Sequence, residues 1–189
     1  MKSNAVLVLI GPSGVGKSTL TGKLLKNSRV KFSLMPKYTT RPQRLIEKST
    51  FSEDIFVSEA EFDKLDGQGF FIDTVQPFGL PYKYGLPWPT EHLGTVTHLV
   101  PLRAFVLDTF LKHFPDALIY QLEVSPDLAK QRMLNRGQKT VDIQARLKTF
   151  EQEILAGRKL AQRTLQNDSE IDNLADGIID CFLHDSALL

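Results

Sequence analysis

The chain has 189 residues, a length that fits one compact domain with room for small lobes. Hydrophobic residues make up 42% of the sequence and charged residues 24%, which excludes a disordered or fibrous protein. Lysine and arginine together number 23 against 22 aspartates and glutamates, and the net charge of +1 gives no support for nucleic acid or an anionic membrane as a partner.

The sequence also indicates where the protein resides. A single cysteine, Cys181, excludes an internal disulfide and suits a reducing compartment. The apolar run at residues 5–10 is too short to span a bilayer, and it lacks the basic start and cleavage site of a signal peptide. We therefore expect a cytoplasmic protein with no membrane partner, either a monomer or a homodimer.

The first elements are typical of an α/β domain. Residues 5–10 form a continuous aliphatic run, as in a strand buried on both faces of a parallel sheet. A glycine-rich turn follows, and residues 18–26 have the apolar spacing of a helix. From about residue 37 to 88 the apolar runs become short and many of the prolines and glycines occur, which predicts a small inserted lobe. Within it, Ser58 and Glu61 form a capping box, so a short helix is expected to start there and end at Gly67 or Gly69.

The second half of the chain returns to longer elements. Residues 118–124 predict a second buried strand, and Ser125 with Pro126 can start a helix that ends at Gly137. One apolar stripe predicts a single long helix over residues 142–163, and a last helix is expected at residues 171–183.

A phosphate-binding loop joins the first strand to the first helix. The segment from Gly11 to Ser18 matches the pattern G-x-x-x-x-G-K-[ST] in this strand–loop–helix context. Its backbone N–H groups and the helix N-terminus can cradle phosphates, Lys17 can reach the β- and γ-phosphates, and Ser18 can bind Mg²⁺. The residues predicted to bind ATP are Gly11, Pro12, Ser13, Gly14, Val15, Gly16, Lys17, Ser18 and Thr19.

Arginines occur in two spaced groups. Arg41 and Arg44 lie at the start of the inserted lobe, whereas Arg132 and Arg136 share one helix face and are followed by Arg146. A guanidinium binds phosphate through two parallel hydrogen bonds, and phosphoryl transfer depends on positioning and charge neutralisation. Together with the intact loop, the arginines predict a kinase.

At these motifs the sequence resembles the guanylate kinase superfamily over most of its length. The matching segments are the phosphate-binding loop, Thr39–Arg44, Phe56–Phe62, Tyr84–Gly85, and Arg132–Gly137 with Arg146. The resemblance implies an α/β P-loop kinase fold of three layers, with a parallel sheet, a small inserted acceptor-binding lobe and a short lid. It places the core at about residues 1–36 and 90–189, the lobe at about 37–89, and the lid at about 136–146.

The resemblance also implies residue roles. Arg41, Arg44 and Tyr84 would bind a phosphate that the acceptor already carries. Lys17, together with Arg132, Arg136 and Arg146, would be catalytic and offset charge on the transferring phosphoryl group. At the other end of the site, Asn167 would border the adenine of ATP.

The segments that read guanine in this superfamily are altered. The glutamate expected there is Asp73, the Asp-Ile-Asp segment is Leu99–Leu102, and the hydroxyl expected after Tyr-Gly is Leu86. Losing two or three such hydrogen bonds predicts a large loss of efficiency on GMP.

A second branch of the superfamily, the ribose 1,5-bisphosphate phosphokinases, resembles the chain at other positions. These are Lys37–Arg41, Ser52–Asp54, Tyr84–Pro87, Arg103 and Thr164–Asp168. The chain departs from this branch at two places. The branch usually has Asp where this chain has Ser18, and Asn-Gly-Ser before the arginine where this chain has Val100–Leu102. The resemblance to the superfamily as a whole adds two residues to the expected acceptor contacts. These are Asp73, at the guanine-reading position, and Arg103, which matches the second branch.

We therefore predict an ATP-dependent kinase that uses Mg²⁺ and acts on a small phosphorylated acceptor, with a slight preference for ribose 1,5-bisphosphate. The alternative acceptors are GMP and other nucleoside monophosphates, and a non-catalytic binding module is a further alternative. For the metal, Ser18 is the one ligand predicted, because the strand expected to end in an acidic residue reads Thr97–Val100.

Overall fold

The computed structural model describes residues 6–43, 47, 51–76, 80–89, 96–168 and 170–188. The strands are β1 (Val6–Ile10), β2 (Phe32–Leu34), β3 (Lys37–Thr39), β4 (Asp54–Phe56), β5 (Phe71–Val75), β6 (Tyr84–Pro87), β7 (Thr97–Pro101), β8 (Leu118–Glu123) and β9 (Arg163–Gln166). The α-helices are α1 (Lys17–Leu24), α2 (Glu59–Gly67), α3 (Leu107–His113), α4 (Pro126–Asn135), α5 (Thr140–Leu147), α6 (Phe150–Arg158) and α7 (Ile171–Ser186). A short 3-10 helix, Ala104–Val106, precedes α3.

A parallel sheet forms the centre of the fold, in the order β2-β7-β1-β8-β9. Every residue of β1 is buried, because alternate side chains enter two separate apolar clusters. Leu7 and Leu9 pack with α1 and α7, whereas Val8 packs with α3 on the opposite face. The predicted buried strand and the three-layer α/β fold are confirmed.

The carboxyl ends of the parallel strands define one edge of this sheet. The phosphate-binding loop follows β1 at this edge, and Arg103 follows β7. In an open α/β sheet, ligands bind where the strands end in this way.

A second sheet, in the order β4-β3-β6-β5, forms the inserted segment. Helix α2 packs on it, with the Ser58 hydroxyl accepting a hydrogen bond from the Glu61 N–H as the capping box predicts. Phe70 and Phe71 pack edge to face with each other, and each also packs edge to face with Tyr38. The boundaries proposed for core, lobe and lid stay predictions.

The single helix predicted over residues 142–163 is wrong. Two helices, α5 and α6, occupy residues 140–158, and the chain then turns into β9, which pairs with β8. The apolar stripe continues across both helices, since Ile143 and Phe150 are both buried, and periodicity alone therefore did not show the break at Thr149. Other predicted helices agree with α1, α4 and α7 within a few residues. No helix in the described part of the chain is long and apolar enough to cross a membrane.

Candidate active site

The phosphate-binding loop takes a conformation that requires its glycines. Gly14 and Gly16 have φ angles of 88° and 100°, in the region that side chains with a Cβ rarely adopt. A Cβ on Gly14 would also lie 2.6 Å from the carbonyl oxygen of Ala129 in α4. The loop is therefore packed closely between β1 and α4, with its backbone available to a ligand.

Lys17, the first residue of α1, bends back over the loop. Its Nζ donates hydrogen bonds to the carbonyl oxygens of Gly11 and of Pro12, the latter at 3.2 Å. Burial, and then the positive charge of Arg103, lower the pKa of Lys17 to about 7. The amine is therefore only partly protonated near pH 7. A bound anion would hold it in the protonated form.

Two arginines meet at the same side chain of the loop. Nη1 of Arg146 donates to Oγ of Ser13 at 2.6 Å, and Nη1 of Arg103 donates to the same oxygen at 3.0 Å. Glu153 of α6 pairs with Arg103 through both carboxylate oxygens. Three cationic side chains, including Lys17, are therefore arranged around the mouth of the loop.

The other two predicted catalytic arginines occupy different places. Arg132 donates to the carbonyl oxygens of Asn167 at 2.9 Å and of Val15 at 3.4 Å, so it braces the back of the loop. Nδ2 of Asn167 donates to the same Val15 oxygen at 2.7 Å. Arg136, Arg132 and Asn167 line a cavity of about 320 Å³ beside Gly16. Arg136 also lines a larger cavity in front of the loop. Asn167, the residue predicted to border the adenine, is thus part of the lining of the smaller cavity.

A cavity of about 590 Å³ connects the loop with the inserted lobe. Its lining includes Lys17 and Ser18 at one end and Arg41 and Tyr84 at the other. The structure therefore brings the predicted donor and acceptor residues around one space. Arg44 lies outside the described residues.

Arg41 is buried and already has anionic partners. Its guanidinium donates to both carboxylate oxygens of Glu47 at 3.0 Å and to Oδ2 of Asp54 at 3.0 Å, and it lies 5.0 Å from the ring centre of Phe56. Burial alone would lower the pKa of Arg41, but these carboxylates and Tyr84 raise it above its usual value. An acceptor phosphate would compete with the two carboxylates for this guanidinium.

Two cavity residues, Lys37 and Glu53, have no role in the site predicted from sequence. Nζ of Lys37 donates to Oε1 of Glu53 at 3.0 Å and to the carbonyl oxygen of Pro101 at 3.1 Å. Burial would lower the pKa of Lys37, but Glu53 and Asp54 raise it above the usual value. Oε2 of Glu53 is buried without a hydrogen-bond partner among the described residues. The sequence signal was the resemblance at Lys37 and Ser52–Asp54, which assigned neither residue a role.

Between the two ends, much of the cavity wall is apolar. The residues are Ile72, Val75, Leu86, Leu102, Phe105, Val106 and Phe110. Asp73 is the predicted base-reading residue, and it lies in this part of the lining. Its Oδ1 accepts a hydrogen bond from the Thr74 N–H at 2.9 Å, which fixes the direction of the carboxylate.

Comparisons with known proteins place the chain in a family. A family model described as guanylate kinase matches residues 3–85. Guanylate kinase from Nostoc sp. is 32% identical over 178 residues, which are 89% of this chain and 85% of that protein. Guanylate kinase from Thermobifida fusca is 33% identical over 171 residues, 86% of this chain and 83% of that protein.

Solved structures show the same fold. The guanylate kinase of Anaplasma phagocytophilum superposes with a TM-score of 0.74 at 23% identity and covers 98% of this chain and 87% of that one. A shikimate kinase from Acinetobacter baumannii superposes with a TM-score of 0.55 at 14% identity, covering 97% of this chain and 96% of that one. The likeness to both supports the P-loop kinase fold.

Proposed function

The chain belongs to the guanylate kinase family, and from this we propose that it transfers the γ-phosphoryl group of ATP to the phosphate of a nucleoside monophosphate, with GMP as the principal acceptor. Its general activity is that of an ATP-dependent phosphotransferase. The observation that carries the proposal is the single cavity that joins the cationic loop end to Arg41 and Tyr84.

The donor end is built for positioning a triphosphate. The loop N–H groups and α1 hold the phosphates, and Lys17 neutralises charge on the β- and γ-phosphates. Arg146 is anchored on Ser13, so its guanidinium is held at the loop before any substrate binds. Phosphoryl transfer needs such preorganised cations more than it needs a side-chain nucleophile.

The acceptor end is assigned to Arg41 and Tyr84. We infer that the acceptor phosphate takes the place of the Glu47 carboxylate on Arg41, since a bidentate carboxylate and a phosphate present similar oxygen pairs to a guanidinium. Tyr84 lies on β6 beside β3 and lines the same space. In this arrangement the acceptor phosphate would face the loop across the cavity.

The residues present also fit Mg²⁺. Ser18 lines the cavity, and Oε2 of Glu53 is a buried carboxylate oxygen with no hydrogen-bond partner in the described part of the chain. Glu53 is close enough to Lys17 to act on its pKa, although burial is the larger influence. We infer that Ser18 binds the ion and that Glu53 holds its water shell. A bound Mg²⁺ would supply positive charge that offsets the negative charge of the ATP phosphates.

The apolar wall favours a nucleotide over a sugar phosphate. Leu86, Leu102 and Phe105 can cover the face and edges of a base, whereas ribose 1,5-bisphosphate has no apolar body that would bury them. The preference for ribose 1,5-bisphosphate finds no support in the relatives described above, which are guanylate kinases. Of the acidic residues expected to read guanine, this chain keeps Asp73. We therefore expect modest discrimination between guanine and other bases.

The test is an ADP-release assay with ATP and Mg²⁺ against GMP, IMP, AMP, CMP, UMP and ribose 1,5-bisphosphate. We expect the highest kcat/KM for GMP, with IMP within about tenfold because one carboxylate distinguishes them by a single hydrogen-bond contact. Asp73→Asn should reduce the rate on GMP more than the rate on AMP. Turnover of ribose 1,5-bisphosphate alone would overturn the proposal. Failure of every acceptor would favour the non-catalytic binding module.

A further inference from the structure

Arg103 lies at the phosphate-binding loop, where it contacts Ser13. Arg41, which pairs with Glu47 and Asp54, lies at the acceptor end of the cavity. Nη1 of Arg103 shares the Oγ of Ser13 with Nη1 of Arg146, at 3.0 Å and 2.6 Å respectively. Ser13 is within the loop itself, so both guanidiniums are held at the end of the cavity where ATP is expected to bind.

Lys17 brings a third basic side chain to the same place. After burial, the Arg103 charge is the strongest influence that lowers the pKa of Lys17. Cations brought together in a buried site repel one another until an anion binds, and an anion held among them is strongly stabilised. This grouping therefore fits the β- and γ-phosphates.

Glu153 determines the orientation of Arg103. Its carboxylate pairs with Nε and Nη2 of the guanidinium, and one oxygen also lies 3.4 Å from the Ala104 N–H. Glu153 is only 5% exposed, so the pair is shielded from water. A two-point ion pair fixes the plane of a guanidinium, which leaves Nη1 directed at the loop.

Arg103 also borders the space that leads to the acceptor lobe, because Arg103 and Tyr84 line the same cavity. The hydrogen bond from Arg103 to Ser13 holds its guanidinium at the loop end of that space. The transferring phosphoryl group crosses this space between donor and acceptor during an in-line reaction.

We propose that Arg103 is a catalytic residue that contacts the transferring phosphoryl group, and that Glu153 is its positioning residue. This role differs from the acceptor contact that the sequence indicated for Arg103. It rests on the proposed phosphoryl transfer but not on which acceptor is used.

The experiment compares Arg103→Lys with the unaltered protein. Lysine keeps the charge but lacks the planar fork that pairs with Glu153 through two hydrogen bonds and still directs a third donor at a phosphate oxygen. We expect kcat to fall about 100- to 1000-fold, the loss typical of one preorganised donor, with the acceptor KM changed less than about threefold. By calorimetry, affinity for ATP should fall at least about tenfold while affinity for ADP, which lacks the γ-phosphate, changes little.

Two further variants separate positioning from structure. Glu153→Gln should lower kcat without altering the acceptor KM, and it should have little further effect in an Arg103→Lys background. Arg158→Lys is the matched control, because Arg158 lies on the same helix as Glu153 and pairs with Glu123 of β8, but does not line the cavity. Arg158→Lys should leave kcat and the acceptor KM unchanged.

Other results would overturn the assignment. An acceptor KM raised tenfold or more in Arg103→Lys at unchanged kcat would make Arg103 an acceptor ligand. Equal loss of ATP and ADP affinity, or no loss, would remove it from the γ-phosphate. If no acceptor supports transfer, the proposed function fails, and the comparison of ATP with ADP binding still decides the role of Arg103.

Discussion

Lys17 should take up a proton when ATP binds. Burial and the nearby Arg103 lower its pKa to about 7 in the folded protein, so at pH 8 the amine is about 90% uncharged without ATP. Bound phosphates favour the charged form and return the pKa towards its usual value near 10.5. Binding ATP at pH 8 should therefore take up about 0.9 proton.

The same linkage fixes the pH dependence of affinity. Because only the protonated amine stabilises the complex, the Kd for ATP should rise about 25-fold between pH 7.5 and pH 9, a range in which phosphates are already ionised. Calorimetry in buffers with different ionisation enthalpies measures the proton uptake directly. Lys17→Met should bind ATP weakly with no Lys17-linked proton uptake, and Lys64→Met, which alters an exposed lysine of α2, should behave as the unaltered protein.

The folded protein without ligand offers an independent check. The unfolded chain holds the Lys17 proton up to about pH 10.5, whereas the folded chain releases it above about 7. The unfolded state therefore binds more protons between these values, and the contribution of Lys17 to the free energy of unfolding rises with pH in that window. Lys17→Met should be at least as stable as the unaltered protein at pH 7. Proton uptake below about 0.2 at pH 8, with an ATP affinity independent of pH, would refute the reasoning.

Three further substitutions test separate parts of the site. Gly16→Ala would force a Cβ into Asn167 at a φ angle of 100°, so ATP affinity should fall at least about tenfold in a calorimetric titration, and unaltered affinity would contradict the close packing. Glu53→Gln should raise the Mg²⁺ concentration needed for half-maximal ATP binding about 10- to 100-fold, as loss of an outer-shell partner does, whereas weaker ATP binding without Mg²⁺ would instead indicate a general electrostatic effect. Arg41→Lys loses the two-point grip and should raise the KM for the acceptor about 10- to 100-fold at a nearly constant KM for ATP in steady-state assays, and an unchanged acceptor KM would exclude Arg41 from the acceptor site.

Local signals in the sequence were sufficient for much of the fold. The run ending at Ile10, the loop glycines and the capping box at Ser58 each act over a few residues, and each predicted its element. The break between α5 and α6 could not be predicted in this way, because the apolar stripe has the same spacing on both sides of Thr149. Strand β9 is specified by its pairing with β8, which is a tertiary contact.

The site shows the same division between local and tertiary information. The loop motif predicted Lys17 as a phosphate ligand, but its shifted pKa comes first from burial and then from the charge of Arg103, which is far away in sequence. Arg41 follows β3 and pairs with Asp54, the first residue of β4, and with Glu47 between the two strands in sequence. Neither contact has a spacing that a sequence pattern could reveal.

Phosphorus NMR of the protein with Mg²⁺, ATP and GMP tests the central claim most directly, because it identifies where the phosphoryl group goes. Transfer to the acceptor phosphate predicts growth of the two diphosphate resonances of GDP, matched by conversion of ATP to ADP, with little inorganic phosphate. Release of inorganic phosphate without GDP, or no reaction while ribose 1,5-bisphosphate is converted under the same conditions, would contradict transfer to a nucleoside monophosphate.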